Sequence, residues 1–162
     1  MEHQSSPDTA KAKNLLKAIL FAGLVVGILD GLAASVGSYF PRGITPDQVF
    51  RYVASGVFGK EAFAGGTPMA LIGLLFHFII AYGWTLLFFL AYPKVKLLRE
   101  NKIIVGMLYG ILVLLAMNLI VVPLSNVPSP KPGTIQVQQV IIHMFLVGLP
   151  ISLLANRYYT QK

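Results

Sequence analysis

The sequence predicts an all-α fold, an integral membrane four-helix transmembrane bundle with a short outer interfacial helix. Three observations lead there. The chain has 162 residues, of which 56% are hydrophobic and 12% charged, whereas a soluble domain carries about a quarter charged residues. The apolar residues fall into long blocks, at about 15–40, 68–92, 103–124 and 134–159, each near the roughly 20 residues that cross a bilayer as a helix. The basic residues gather at the ends of those blocks, as they do beside a membrane surface. One transmembrane domain spanning 1–162 is expected, with residues 1–14 a flexible cytoplasmic tail.

Composition also excludes function classes. With no Cys, disulfides, thiolate nucleophiles and Cys-ligated metals are absent. The formal charge of +7 does not form the stripe that nucleic acid requires, so the expected partner is the lipid bilayer and not a nucleic acid. No phosphate-cradling G-x-x-x-x-G-K, H-E-x-x-H or G-x-S-x-G occurs, and nothing points to an enzyme.

The first block, with Lys11, Lys13 and Lys17 at its start, contains "VVGILDGLAAS". This start also fits a secretory signal with a small-residue cleavage site. The length of the apolar run, the Asp within it and the helical spacing of its small residues favour a retained span. Gly23, Gly27 and Gly31 share a helical face that lets another helix approach closely, and a homo-oligomer through this face is expected. In "ITPDQVFRYVASGVFG", Thr45 is the N-cap of a short helix, Pro46 its first position and Gln48 the partner in a capping box. Val49, Phe50, Tyr52, Val53 and Val57 form its apolar face, suited to lying on the membrane or lidding the bundle. "GKEAFAGGTP" reads as a flexible return and "VPSPKPGT" as a stiff outer turn. The fourth block is the weakest span, because "TIQVQQ" opens it and His143 interrupts it. Pro150 is expected to kink it.

An ionisable group inside a span is costly and calls for partners. With a 1.5 Å rise per residue, Asp30 lies about 18 Å above Ala18, His77 about 13 Å below Pro68, His143 about 12 Å below Ile135 and Asn118 about 22 Å above Ile103. In a core of roughly 30 Å, Asp30, His77, Asn118 and His143 fall in one band of the outer half, one from each span. Gln136 and Gln139 share a face with His143 and form a polar access stripe. No cofactor is assigned, and whether the histidines hold a metal is left open.

Several stretches resemble the YagU-like family of bacterial inner-membrane proteins. They are "LIGLLFHFIIAYGW", "YPKVKLLRENKIIVGMLYG", "PLSNVP" and "VIIHMFLVGLPISLLANRY", covering about Leu71 to Tyr158. The resemblance implies a four-helix inner-membrane protein and gives His77 and His143 a place in the family pattern. It supplies no activity and does not include Asp30. The outer loop is shorter here than the family's.

The functional expectation is a small proton- or ion-linked channel or carrier with an Asp/His site. One alternative is a structural or regulatory protein whose polar layer fixes helix packing. Another is bis-His haem binding, against which the bulky apolar faces leave no slot for a macrocycle. Orientation follows from charge: Lys11, Lys13, Lys17, Lys94, Lys96, Arg99, Lys102, Arg157 and Lys162 fall on one side, against Arg42, Arg51, Lys60 and Lys131. Positive-inside bias puts the first set, and both termini, in the cytoplasm of a bacterial inner membrane, with Tyr92, Tyr158 and Tyr159 at the inner interface. Reporter fusions after Lys162 and within 94–102 should both read cytoplasmic; an outer-side signal from either overturns this topology.

Overall fold

The computed structural model describes residues 7–128 and 136–161, with side chains described from Lys11 onward. The chain is all-helical among those residues. It runs through α1 (Pro7–Arg42), α2 (Pro46–Phe58), α3 (Glu61–Ala64), α4 (Gly66–Ala91), a 3-10 turn at Lys96–Arg99, α5 (Lys102–Ala116), α6 (Val137–Ile142) and α7 (Leu149–Thr160). A wide π-type segment continues α5 over Met117–Val121, and another joins α6 to α7 over His143–Gly148. Four stretches are long and apolar enough to cross a membrane: Lys11–Arg42, Gly66–Ala91, Lys102–Val121 and Val137–Thr160. Each turns large apolar side chains outward, among them Leu24, Ile28, Ile79, Leu112 and Phe145. Lipid, not water, is the solvent that makes such a surface stable.

Local chemistry sets the ends of these helices. Asn101 caps α5 by accepting from the backbone N–H groups of Ile103 and Ile104 at 3.0 and 3.1 Å. Thr45 caps α2 as expected, and the Gln48 side chain returns to accept from the Thr45 N–H at 2.9 Å. Gly43 stops α1 in the left-handed region, φ 65°, where its N–H donates to the Tyr39 carbonyl at 2.7 Å.

Several expectations are corrected. Residues 7–14 belong to α1, because "AKAKNLLK" is rich in helix formers; residues 1–6 lie outside the described residues. The third span ends as helix at Val121, two residues before Pro123, whose missing N–H cannot extend it. The supposed return loop contains the turn α3. Of the Pro-rich turn only Val127 and Pro128 are described, and the expected start of the fourth span at Thr134 lies outside the described residues. Tyr92 is not interfacial: it is buried, stacks on Tyr159 with centroids 5.1 Å apart, and accepts a hydrogen bond from the Asn156 amide at 2.7 Å.

The bundle is solid at the end rich in Lys and Arg and hollow at the other. Ile19, Ala22, Phe88, Phe89, Tyr92 and Ile151 interlock in the solid half, joined by Ala155 of α7. Tyr159 ties it by donating to the Phe89 carbonyl at 2.9 Å.

Glycines set the helix spacing. On α1, Gly23 meets the Tyr82 ring and Gly27 the Phe78 ring, while Gly31 lies against His77. The face expected to pair two copies of the chain is therefore filled by α4 of the same chain, and self-association would need another surface. Gly73 of α4 sits against the Phe50 carbonyl, and Gly106 and Gly110 of α5 press on Gly148 and the His143 carbonyl. No Cβ fits at Gly110 without moving backbone. Gly110→Ala should thus lower stability by about 1–3 kcal/mol. Gly83 is exposed, with nothing within 4 Å of an added Cβ, so Gly83→Ala should be neutral or slightly stabilising. Thermal melts in detergent test the pair. Equal melting temperatures for both variants would remove the α5 crossing as a determinant of the fold.

Candidate functional site

The hollow half holds a cavity of about 760 Å³, within the size range of small-molecule sites, roughly 300–1,000 Å³. Four helical stripes make its wall. On α1, Val26, Asp30, Ala33, Ala34, Gly37 and Ser38 recur at helical spacing. From α4 come His77, Ala81 and Trp84, and from α5 and its extension Val113, Met117 and Val121. The fourth span adds Gln136, Gln139, His143 and Val147. Arg42 lies toward the open end, and Val49, Tyr52 and Val53 of α2 close part of it.

α2 is therefore a lid on the bundle. Phe50 meets His77 edge to face at 5.8 Å, and Phe58 stacks on Phe76 at 6.2 Å. From the other side, Asn126 donates its amide to the Val57 carbonyl and its backbone N–H to the Gly56 carbonyl, both at 2.9 Å. Arg51 pairs with Asp47 at 2.6 Å and donates to the Phe63 carbonyl at 2.6 Å, holding α3 beneath the lid. Val57, expected on the apolar face, is exposed. Burial raises the Tyr52 phenol above its usual pKa of 10.0, so at neutral pH this wall carries a neutral hydroxyl.

The structure brings Asp30, His77 and His143 to one cavity but does not join them. His77 Nε2 lies 2.8 Å from the Gly27 carbonyl, and His143 Nδ1 lies 2.9 Å from the Gln139 carbonyl. A carbonyl only accepts, so each of these nitrogens carries its proton, and in a neutral ring the other nitrogen is an acceptor. Asp30 is half-buried and makes no ion pair or hydrogen bond through its carboxylate among the described residues. Asp30 and His77 share the cavity wall without bonding to each other, and the His77 Nε2–H donates instead to the Gly27 carbonyl, one turn before Asp30 on α1. Among the described residues no three His, Asp or Glu side chains lie close enough to share a metal ion. With Nε2 committed to Gly27, His77 has only Nδ1 left to ligate a haem iron.

Asn118 is not on the wall. Its amide donates to the Leu114 carbonyl at 2.9 Å, and it sits one residue past Met117, about 100° around the helix from that stripe. Gln136 and Gln139 do line the cavity. The Gln139 side chain accepts from the Gln136 N–H at 3.2 Å, closing the start of α6. Pro150 lies in the first turn of α7, immediately after the π-type segment. That widened turn accommodates a residue that lacks an N–H and crowds the carbonyl four places back.

Sequence reasoning missed Arg42 and Gln138 as wall residues. Arg42 was not findable by periodicity, since twelve residues turn it about 120° around the helix from Asp30. Nor was Gln138, because it is off the Gln136–Gln139 stripe and meets α1 only through the space left by Gly37. The Gly106–Gly110 spacing, a small-xxx-small signal, was legible and overlooked.

No family model, no curated protein and no solved structure matches this chain. What fold and site define is a class: a multi-pass, all-helical membrane protein with a cavity whose wall carries Asp30, His77 and His143, one from each of three spans.

The His77 bond is testable by geometry. Gln places an amide nitrogen where Nε2 lies, and Ala places nothing there. His77→Ala should lose about 1–3 kcal/mol through the bond and its ring contacts, with His77→Gln restoring most of the melting temperature. If Gln melts as low as Ala, the Gly27 bond is not what the ring supplies.

Proposed function

We propose that this protein is a small carrier of a bacterial inner membrane, with both termini cytoplasmic, that takes a solute into the cavity and couples its passage to protons through Asp30, His77 and His143. One observation carries the reading: the ionisable side chains of three separate spans line a single cavity of small-molecule size. Intramembrane Asp and His residues face the bundle interior or a cavity and mark ion pathways and proton relays, and His is the side chain that titrates nearest neutrality. The charge asymmetry of the chain supports the orientation, and the likeness of Leu71–Tyr158 to YagU-like proteins supports the membrane assigned.

A structural reading is favoured by the hydrogen bonds from both histidines to backbone carbonyls, which would fix helix register without transport. Proteoliposomes separate the two. Under a pH gradient the wild type should pass protons faster than empty liposomes. Asp30→Asn and His77→Gln should each reduce that flux at least about tenfold, with melting temperatures close to wild type because both replacements are nearly isosteric. A wild type as tight as empty liposomes at every pH gradient would leave only the structural role.

A further inference from the structure

We infer that the cavity's ligand is a small organic monocation with an apolar, ring-bearing body, held by the Asp30 carboxylate. This rests on the cavity being a solute site and names the class of solute. The charges that face the space come from few elements. α1 supplies Asp30 and Arg42, α4 supplies His77, the fourth span supplies His143, and the α2 and α5 walls bring neutral groups only. Arg42 is twelve residues from Asp30, about 18 Å along the helix. It donates to the Ser38 hydroxyl at 3.3 Å and is exposed, so it marks the rim and does not neutralise the carboxylate.

The depth of the cavity is thus negative and rich in acceptors. Asp30 has no partner there among the described residues, and a histidine ring in its neutral form keeps an acceptor nitrogen while its N–H donates to a carbonyl. An anion in this place would face an uncompensated carboxylate in a low-dielectric setting. An inorganic cation would need converging ligands, and no such group occurs among the described residues. The space is also far larger than a bare ion requires. The same cavity wall carries Val26, Ala81, Val113 and Val147, which suit an apolar body, and Trp84, whose indole face attracts a cation. A cation and a proton would then compete for the same carboxylate. Exchange of one for the other follows without any further site.

Trp84 is the only Trp of the chain, so its fluorescence reports on this cavity directly. Tetraphenylphosphonium and tetraphenylborate have the same shape and opposite charge. With purified full-length protein in detergent and no gradient, the phosphonium should change Trp84 emission saturably. Its affinity should fall as pH is lowered and weaken at least about tenfold in Asp30→Asn. A melt on each sample confirms that the variant is folded. Equal phosphonium affinity in wild type and a folded Asp30→Asn, or tighter binding of the borate than of the phosphonium, overturns the inference. If Asp30→Asn does not fold, Asp30→Glu takes its place: it keeps the charge and should retain phosphonium binding, so its loss overturns the inference. Proton flux in liposomes without phosphonium binding would sink the cation and spare the carrier. Binding without any flux would spare the cation site and sink the carrier.

Discussion

Everything in this fold depends on how closely the helices approach. In lipid no hydrophobic force draws two apolar helices together, so contact must come from packing at small residues. Here Gly23, Gly27 and Gly31 admit the rings of α4, Gly73 admits the backbone of α2, and Gly106, Gly110 and Gly148 bring α5 against the fourth span. At the last two crossings backbone meets backbone, which leaves no tolerance for a methyl group. These crossings fix α1 to α4, α4 to α2, and α5 to the fourth span.

The cavity lies where such crossings are missing. Between α1 and the start of the fourth span there is no glycine-to-backbone contact; Gly37 meets only the side-chain amide of Gln138. The helices part there, and Asp30, His77 and His143 line the gap. Polar groups are affordable in this region because part of their demand is met inside the chain. Each histidine donates one ring N–H to a carbonyl, and the Asn118 amide donates to the Leu114 carbonyl of its own helix. Asp30 is the exception: among the described residues its carboxyl group has no hydrogen-bond or ion-pair partner.

The same arrangement makes the cavity one-ended. Below Trp84 the interior is filled by Phe88, Phe89 and the stacked Tyr92 and Tyr159, with Tyr109 donating to the Trp84 carbonyl at 2.6 Å. A solute that entered past the α2 lid would meet this aromatic plug. Both π-type segments end within two residues of a proline, Pro123 or Pro150, and the second begins at His143 itself. Wide turns of this kind recur at functional sites, and this one places His143 at the point where the helix departs from regular α geometry.

Much of this was present in the sequence. Four apolar blocks, lengths near a bilayer's thickness and flanking lysines determine a four-span helical membrane protein, because a bilayer leaves the backbone few alternatives. The α2 capping box was legible in Thr45, Pro46 and Gln48, since capping depends only on neighbours in the chain. Helical periodicity and the 1.5 Å rise placed Asp30, His77 and His143 at a common depth. It could not say which way each side chain turned within that band, and so Asn118 was grouped with them although it faces away from the wall. Only the tertiary structure decided that Asp30 and His77 do not pair, that the glycine face of α1 is filled by its own α4, and that Tyr92 is a core residue. Each of those outcomes depends on the azimuth and separation of helices distant in sequence, which are set by packing at a few glycines and not by any local preference of the chain.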